Sequence, residues 1–169
     1  VPASATTATT SMPAATPSMP ATSATTVGVL QAGDLVVLRA HTGKYLDVEH
    51  HRVLAGSDGT APSAQFAVER SAGGGPIASG DVVFLRDTSG KYMDVQGDDW
   101  KFVRARFAEK RSWQAFTIEK TSGEGPIRSG DSIYLLAHTG KRIDVLCENV
   151  HAHASDRGEW QKLVIEKRA

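Results

Sequence analysis

One segment of this 169-residue chain recurs three times, and this repetition is the strongest constraint on how the chain folds. The copies begin at Gly33, Gly80 and Gly130, and they read GDLVVLRAHTGKYLDV, GDVVFLRDTSGKYMDV and GDSIYLLAHTGKRIDV. A second shared pattern follows further along, as SAQFAVER, WQAFTIEK and WQKLVIEK. The chain therefore consists of three similar units, which should share one local structure.

Each unit contains four short stretches in which apolar and polar residues alternate, which is the pattern of β-strands. In the first unit these stretches are 35–40, 44–49, 52–55 and 65–70. No segment has a convincing helical period. Four strands in each of three units, at about 30–76, 77–126 and 127–169, predict an all-β domain. A β-trefoil of twelve strands is favoured over a propeller, because three blades are fewer than propellers usually have.

The alternation also assigns one face of each strand to the interior of the domain. Equivalent residues of the three units should then meet as stacked layers of hydrophobic core, and their burial should hold the fold. The expected layers are Val36/Val83/Ile133, Leu38/Leu85/Leu135, Leu46/Met93/Ile143, Val48/Val95/Val145, Phe66/Phe116/Leu163 and Val68/Ile118/Ile165.

The charge balance argues against partners that are bound through a long-range electrostatic field. Lys plus Arg and Asp plus Glu number 19 each, so the formal net charge is zero, and we expect no nucleic-acid partner. The longest apolar runs, such as 35–38, are far shorter than the roughly 20 residues of a membrane-spanning helix, so we expect no membrane insertion. With Cys147 as the single cysteine, the chain cannot form an intrachain disulfide.

The first 26 residues differ sharply in composition from the rest of the chain. They are Thr, Ala, Ser and Pro with two Met and one Val, and they carry no charge and no aromatic side chain. Such a segment has too little apolar surface to offset its conformational entropy, so we expect a disordered linker at 1–26 and the folded domain at 27–169. Spacers of this composition resemble those of secreted multidomain proteins. This favours an extracellular location, with a cytoplasmic one as the alternative.

From about residue 30 to residue 167 the units resemble fascin-like repeats. In that family a strand of the type VxLRAHTGKYL is followed by a tryptophan three residues before a core phenylalanine. Trp113 and Phe116 match this spacing, Trp160 and Leu163 match it nearly, and in the first unit a serine stands in place of the tryptophan. The resemblance implies a β-trefoil and, as one possible function, actin binding or cytoskeletal cross-linking.

The segments GKYLDV, GKYMDV and GKRIDV also look like the first motif of ricin-type lectin repeats. In that family an aspartate at this place accepts hydrogen bonds from galactose-type hydroxyls, and by position it corresponds to Asp47, Asp94 and Asp144. The chain departs from the ricin type because the usual cysteines are missing and the terminal Gln-x-Trp becomes Gln114-x-Phe116. The partial resemblance implies carbohydrate binding at the repeated hairpins.

Strand alternation places each of the three aspartates between two core residues, so we expect their side chains to face away from the barrel interior and to be available to a ligand. A sugar site also needs an aromatic face, and Trp100 follows Asp94 in the second unit, which should therefore hold the best site. The corresponding loops carry His51 in the first unit and Asn149 in the third. An alternative remains that the aspartates bond local backbone or pair with nearby lysines, namely Lys44, Lys91 and Lys141.

Two further features have simpler explanations. Trp113 and Trp160 keep a fixed offset from core residues, which favours packing over ligand stacking. Cys147, His151 and His153 are types of zinc ligand, but their spacing shows no fourth ligand, so we expect no metal site. No cofactor is expected either.

A basic stretch could meet an acidic glycan or the acidic surface of actin, or it could be a solvated strand balanced by Asp98 and Asp99. It comprises Lys101, Arg104, Arg106, Lys110 and Arg111.

The residues together favour a binding module over an enzyme. The sequence shows no nucleophile with a base, no paired carboxylates and no phosphate-binding loop, so catalysis is not expected. The leading hypothesis is a lectin-like module that binds glycans through up to three hairpin sites, as an accessory part of a larger secreted protein. The alternative is a fascin-like protein that binds actin.

Overall fold

The computed structural model describes residues 28–96 and 102–168, and in this part of the chain it contains twelve β-strands and three short 3-10 turns. No helix in the described part is long and apolar enough to cross a membrane. The strands are β1 (Leu35–Ala40), β2 (Tyr45–Glu49), β3 (Arg52–Ser57), β4 (Phe66–Arg70), β5 (Val82–Arg86), β6 (Tyr92–Val95), β7 (Val103–Phe107), β8 (Phe116–Lys120), β9 (Ser132–Ala137), β10 (Arg142–Leu146), β11 (Asn149–Ala154) and β12 (Leu163–Arg168).

Six of the strands form a closed barrel. Antiparallel pairing runs from β1 to β4, β5, β8, β9 and β12, and β12 returns to β1. The other six form three hairpins, β2–β3, β6–β7 and β10–β11. The hairpins touch one another through β3, which pairs with both β7 and β11. A six-stranded barrel with three hairpins related by pseudo-threefold symmetry is a β-trefoil, so the predicted fold is confirmed.

The predicted core layers are also confirmed. Every one of the expected residues lies in the continuous hydrophobic core, and all except Val48 are fully or almost fully buried. Val48 is half-buried and packs against the others. Alternation along the strands was a reliable guide here because barrel strands and hairpin strands each turn one face towards the same continuous core.

The structure adds a layer that strand alternation did not predict. Leu30, Ile77 and Ile127, which lie in the connections between units, are fully buried. Their backbones form a closed ring of hydrogen bonds, because each amide N–H donates to the carbonyl of the next member at 2.8 Å. The ring ties the beginnings of the three units together. In the sequence, the signal for this layer is the Gly-Pro-Ile motif that ends at Ile77 and recurs at Ile127.

A partly covered glutamate links β4, β5 and the hairpin of the second unit. The carboxylate of Glu69 accepts hydrogen bonds from Arg86 Nε at 3.0 Å and from the Tyr92 hydroxyl at 2.7 Å, and Lys110 Nζ lies 2.7 Å away. Burial by itself would raise the pKa of Glu69, but these three partners outweigh it and hold the pKa below its usual value. The cluster therefore stabilises the folded state only while Glu69 is ionised.

The same arrangement recurs in the other two units. Glu119 accepts from Arg142 and Arg157, and together these cations hold the pKa of Glu119 down against the effect of burial. Glu166 accepts from the Tyr45 hydroxyl at 3.0 Å. Each unit thus contributes one carboxylate from its last strand that binds the hairpin of the following unit, with the third unit binding the hairpin of the first. The sequence pattern did not predict this function of the glutamates.

The lowered pKa of Glu69 predicts how acid should weaken the fold. An acid whose pKa is lower in the folded state stabilises that state at neutral pH, and this contribution disappears as the pH falls from the ordinary glutamate value of 4.5 through the folded value. We expect Glu69→Gln to lose about 1 kcal/mol of unfolding free energy at pH 7 and much less at pH 3. Urea unfolding at both pH values measures this.

Glu124→Gln is the matched control, because Glu124 is an exposed glutamate in a connection between units. It should change the stability little at either pH. The raised pKa of Asp144 makes its own contribution to stability change with pH in the opposite direction. Asp144 is present in both variants and in the parent, so this contribution cancels when each variant is compared with the parent. Equal losses for Glu69→Gln at pH 7 and pH 3 would contradict the prediction.

Candidate functional site

Asp94 on β6 is fully buried, so the expectation that its side chain faces water is wrong. Its carboxylate accepts two hydrogen bonds from Arg106 on β7, from Nε at 3.3 Å and from Nη2 at 3.1 Å. The guanidinium carbon of Arg106 in turn lies 4.9 Å from the centre of the Phe107 ring. Asp94 is therefore the inner half of an ion pair, and it orients Arg106 beneath an aromatic surface.

Asp144 on β10 is also buried, with only 2% of its surface exposed, and the expectation of an accessible carboxylate is wrong here too. His153 Nδ1 lies 2.9 Å from Asp144 Oδ1, but the two are not aligned as a hydrogen bond, and that oxygen has no hydrogen-bond partner. Burial raises the pKa of Asp144, while His153 and His151 act in the opposite direction. The third unit therefore keeps a buried carboxylate that is poorly satisfied.

Asp47 on β2 is the most accessible of the three aspartates and is half-buried. The place that Arg106 occupies in the second unit belongs to Gly56 in the first, and Asp47 has a backbone hydrogen bond with Gly56. Burial raises the pKa of Asp47, and the negative charges of Glu49 and Glu148 raise it further. Its role towards a ligand stays a prediction.

A β-bulge in each hairpin explains why alternation wrongly predicted that these aspartates face water. The register of the hairpins shifts at one point, so that Gly56, Arg106 or His153 is the extra residue in its strand. A bulge re-aims a side chain, and here it brings Arg106 and His153 onto the carboxylate of the partner strand. The aspartates do have structural partners, as the alternative explanation held, but not the lysines that it named.

The other predicted site residues do not assemble with these aspartates into one site. His51 is exposed and occupies a left-handed turn conformation, with φ of 66°. Asn149 Oδ1 accepts a hydrogen bond from Arg52 Nη2 at 2.9 Å, which joins two hairpins. Trp100 and the predicted linker at 1–26 lie outside the described residues.

A cleft in the second unit combines an aromatic surface with polar groups. Phe107, at the end of β7, and Trp113, in the 3-10 turn that follows, are each 37% exposed, and their ring centres lie 6.4 Å apart. The cleft has a volume of about 350 Å³, and Glu109, Arg111 and Ser112 also line it. This volume lies within the range of about 300–1,000 Å³ that is usual for small-molecule sites.

The position of Trp113 corrects the prediction that the two repeat tryptophans are packing residues. Trp160 is even more exposed, at 52%. The core residues of the same pattern, Phe116 and Leu163, are fully buried, so only the second half of the motif belongs to the core. Each tryptophan lies in a 3-10 turn that keeps it on the surface.

A buried glutamine holds this turn in place. Gln114 is almost fully buried, and its Oε1 accepts a hydrogen bond from the backbone N–H of Arg111 at 2.9 Å. Gln161 does the same for Gly158 in the third unit, at 2.7 Å. The glutamines of the Gln-x-Phe and Gln-x-Leu patterns therefore position the neighbouring tryptophans.

The second unit differs from the others in having two aromatic residues at this place. The equivalent of Phe107 is Ser57 in the first unit and Ala154 in the third. The tryptophan position holds Ser63 in the first unit. Sequence reasoning placed the best site in the second unit, but around Asp94 and Trp100, and the aligned position of Phe107 was the signal that could have found the cleft.

The predicted basic stretch is not a continuous free surface. Arg106 is paired with Asp94, and Lys110 lies 2.7 Å from Glu69. Arg111 lines the cleft, and Lys101 lies outside the described residues. The alternative of actin binding stays a prediction, but two of the five cations on which it depended already have internal partners.

Solved structures of known proteins agree with the fold. A Caenorhabditis elegans protein of unknown function has a TM-score of 0.71 at 13% identity, covering 82% of this chain and 96% of its own. The SDF2-like protein of Arabidopsis thaliana has a TM-score of 0.69 at 9% identity, with 81% and 94% covered. The designed threefold-symmetric protein ThreeFoil has a TM-score of 0.63 at 23% identity, with 78% and 97% covered.

One similar structure is the protein O-mannosyltransferase Pmt1-Pmt2 complex of S. cerevisiae bound to the sugar donor, with a TM-score of 0.69 at 12% identity. This chain covers only 25% of that one. No protein-family model and no curated protein matches the sequence. At these identities the likeness supports the β-trefoil fold alone, and the fascin-like and ricin-type resemblances stay predictions.

Proposed function

We propose that this protein is a carbohydrate-binding module and not an enzyme, and that its principal site is the cleft between Phe107 and Trp113. The observation that carries the proposal is the pair of exposed aromatic rings beside groups of opposite charge, Glu109 and Arg111. The exposed parts of these two rings contact water and not other residues. A ligand that covers them removes apolar surface from water and therefore gains binding energy.

The chemistry of the cleft suits a sugar ring. The C–H face of a pyranose can pack on an aromatic ring, and its hydroxyls can donate to a carboxylate and accept from a guanidinium. Glu109 and Arg111 supply those two groups in the lining of the cleft, and the Ser112 hydroxyl adds a donor and acceptor. Asp94 contributes indirectly, because it holds Arg106 against Phe107.

This proposal changes the predicted site while keeping the predicted function. The hypothesis of up to three hairpin sites, with the strongest in the second unit, gives way to one aromatic site in the second unit, with Asp47 as a weaker second candidate in the first. A module of this kind would act outside the cell on a polysaccharide or a cell surface. The single aromatic cleft implies weak binding, for which attachment to another domain would compensate through effective concentration.

The expected result is that Trp113→Ala weakens binding to an immobilised polysaccharide at least about tenfold, because it removes half of the aromatic surface. A glycan array first identifies the ligand, and surface plasmon resonance then measures the affinity. Phe107→Ala should have a comparable effect. A blank array with the folded protein would refute carbohydrate binding.

Trp160→Ala is the matched control, because Trp160 occupies the equivalent 3-10 turn in the third unit, where Ala154 holds the position of Phe107. It should leave glycan binding unchanged. An equal loss in Trp160→Ala and Trp113→Ala would contradict the assignment of the site to the second unit.

A further inference from the structure

A separate cluster in the third unit brings together three side chains that can bind a metal ion. Asp144 lies on β10 directly opposite His151 on β11, and His153 follows two residues later on the same strand. One potential ligand atom from each residue lies within 4.8 Å of the other two. Cys147, which sequence reasoning considered alongside the two histidines, is not part of this group.

Two polar atoms in the cluster are buried without a hydrogen-bond partner, Asp144 Oδ1 and His151 Nδ1. Leaving such an atom unsatisfied destabilises the fold, and buried unsatisfied groups in native proteins call for an explanation such as a bound ion. In the second unit the equivalent carboxylate is satisfied by both nitrogens of the Arg106 fork. The third unit replaces that cation with two imidazoles, of which His153 places Nδ1 2.9 Å from Asp144 Oδ1 without the alignment of a hydrogen bond.

We propose that Asp144, His151 and His153 bind a divalent transition-metal ion, with Zn²⁺ as the best fit. Two imidazole nitrogens and one carboxylate oxygen are the ligand types that Zn²⁺ prefers, and three protein ligands leave a position for water or another ligand. This assignment replaces the expectation that the chain has no metal site, and it is independent of the proposed glycan cleft.

The geometry of the cluster requires only a small adjustment to enclose the ion. Zinc bonds to nitrogen and oxygen measure about 2.0–2.2 Å, so ligand atoms around one ion lie no more than about 4.4 Å apart. The side chain of His153 is 47% exposed, which provides an entry path and freedom to move. Asp144 is held in the hairpin from both sides by buried neighbours, Ile143 and Val145, so it offers a fixed anchor.

The surroundings of the cluster contain both supporting and opposing features. The ring of His151 packs against Phe102, with the ring centres 4.9 Å apart, and this contact orients the imidazole. Arg52 is close enough to act on His151 electrostatically, and its charge opposes a second cation. Arg52 is occupied by Asn149 and by the face of Phe102, so it does not compete for Asp144. We therefore expect a site of moderate affinity.

The test is Zn²⁺ titration of the folded, chelator-treated protein by isothermal calorimetry, with the thermal unfolding temperature measured in parallel. The expected result is one Zn²⁺ site of moderate affinity per chain and a rise in unfolding temperature on binding, because a ligand that binds only the folded state stabilises it. His153→Ala should weaken Zn²⁺ binding at least about tenfold. Since His153 is exposed, this variant should remain folded.

Asp144→Asn provides a second variant that keeps the shape and removes the charge, and it should also weaken Zn²⁺ binding. His50→Asn is the matched control, because it removes an exposed imidazole from a turn of the first unit, and Asn tolerates the left-handed conformation there. It should bind Zn²⁺ like the parent. Absence of Zn²⁺ binding by the folded parent would overturn the proposal, and so would equal affinity in the parent and in His153→Ala.

Discussion

Replacing Phe116 with alanine is expected to lower the free energy of unfolding by about 3–5 kcal/mol. Phe116 begins β8, is fully buried and shares its core layer with Phe66 and Leu163. Truncation removes most of a large aromatic side chain from the closed barrel, and the surrounding strands cannot collapse without breaking their pairing. Urea unfolding followed by circular dichroism measures the change.

The internal repeat provides two matched comparisons for this variant. Phe116→Leu installs the residue that the third unit has at the same position, and it should cost only about 1 kcal/mol. Trp113→Ala, three residues earlier but on the surface, should cost less than about 1 kcal/mol. Similar losses for Phe116→Ala and Trp113→Ala would contradict the division of this motif into an exposed and a buried half.

Replacing Arg106 with alanine is expected to cost about 3 kcal/mol, because Asp94 then loses its partner in a place from which water is excluded. The cost arises from the buried carboxylate left unpaired and is larger than the net value of the ion pair. The experiment is a double-mutant cycle with Asp94→Ala, Arg106→Ala and the double variant, measured by urea unfolding.

The double variant should be less destabilised than the sum of the two single variants, by roughly 1–3 kcal/mol, because it leaves neither charge unpaired. Simple additivity would show that Arg106 and Asp94 do not depend on each other, against the geometry of their two hydrogen bonds. The interaction energy of an ion pair that is covered from solvent should also change little with salt concentration, whereas that of an exposed pair would fall.

The fold could be predicted because the signals are local and occur three times. Period-two alternation identifies the inward face of a strand, and three copies of one pattern in a chain of this length require three equivalent places in one domain. The same reasoning missed Leu30, Ile77 and Ile127, because each is a single apolar residue in an irregular connection. Only closure of the barrel brings them together.

The sites could be predicted only in part, because alternation says which face of a strand a side chain occupies but not what covers that face. Asp94 and Asp144 lie off the barrel interior as the pattern implies, yet bulged neighbours and the 3-10 turns bury them. The opposite error concerns Trp113, which is hydrophobic enough for a core but lies in a turn on the surface.

The sequence by itself determined the class of the fold, the number of strands and the six predicted core layers, since those follow from the order of apolar and polar residues along each strand. The tertiary structure alone decided which polar groups meet. The register of β10 and β11 places Asp144 opposite His151, and a bulge brings His153 to the same carboxylate. Phe107 lies beside Trp113 in a turn that the hydrogen bond between Arg111 and Gln114 holds. Such contacts depend on strand register and on bulges, which are set by the packing of the whole barrel and not by any one segment.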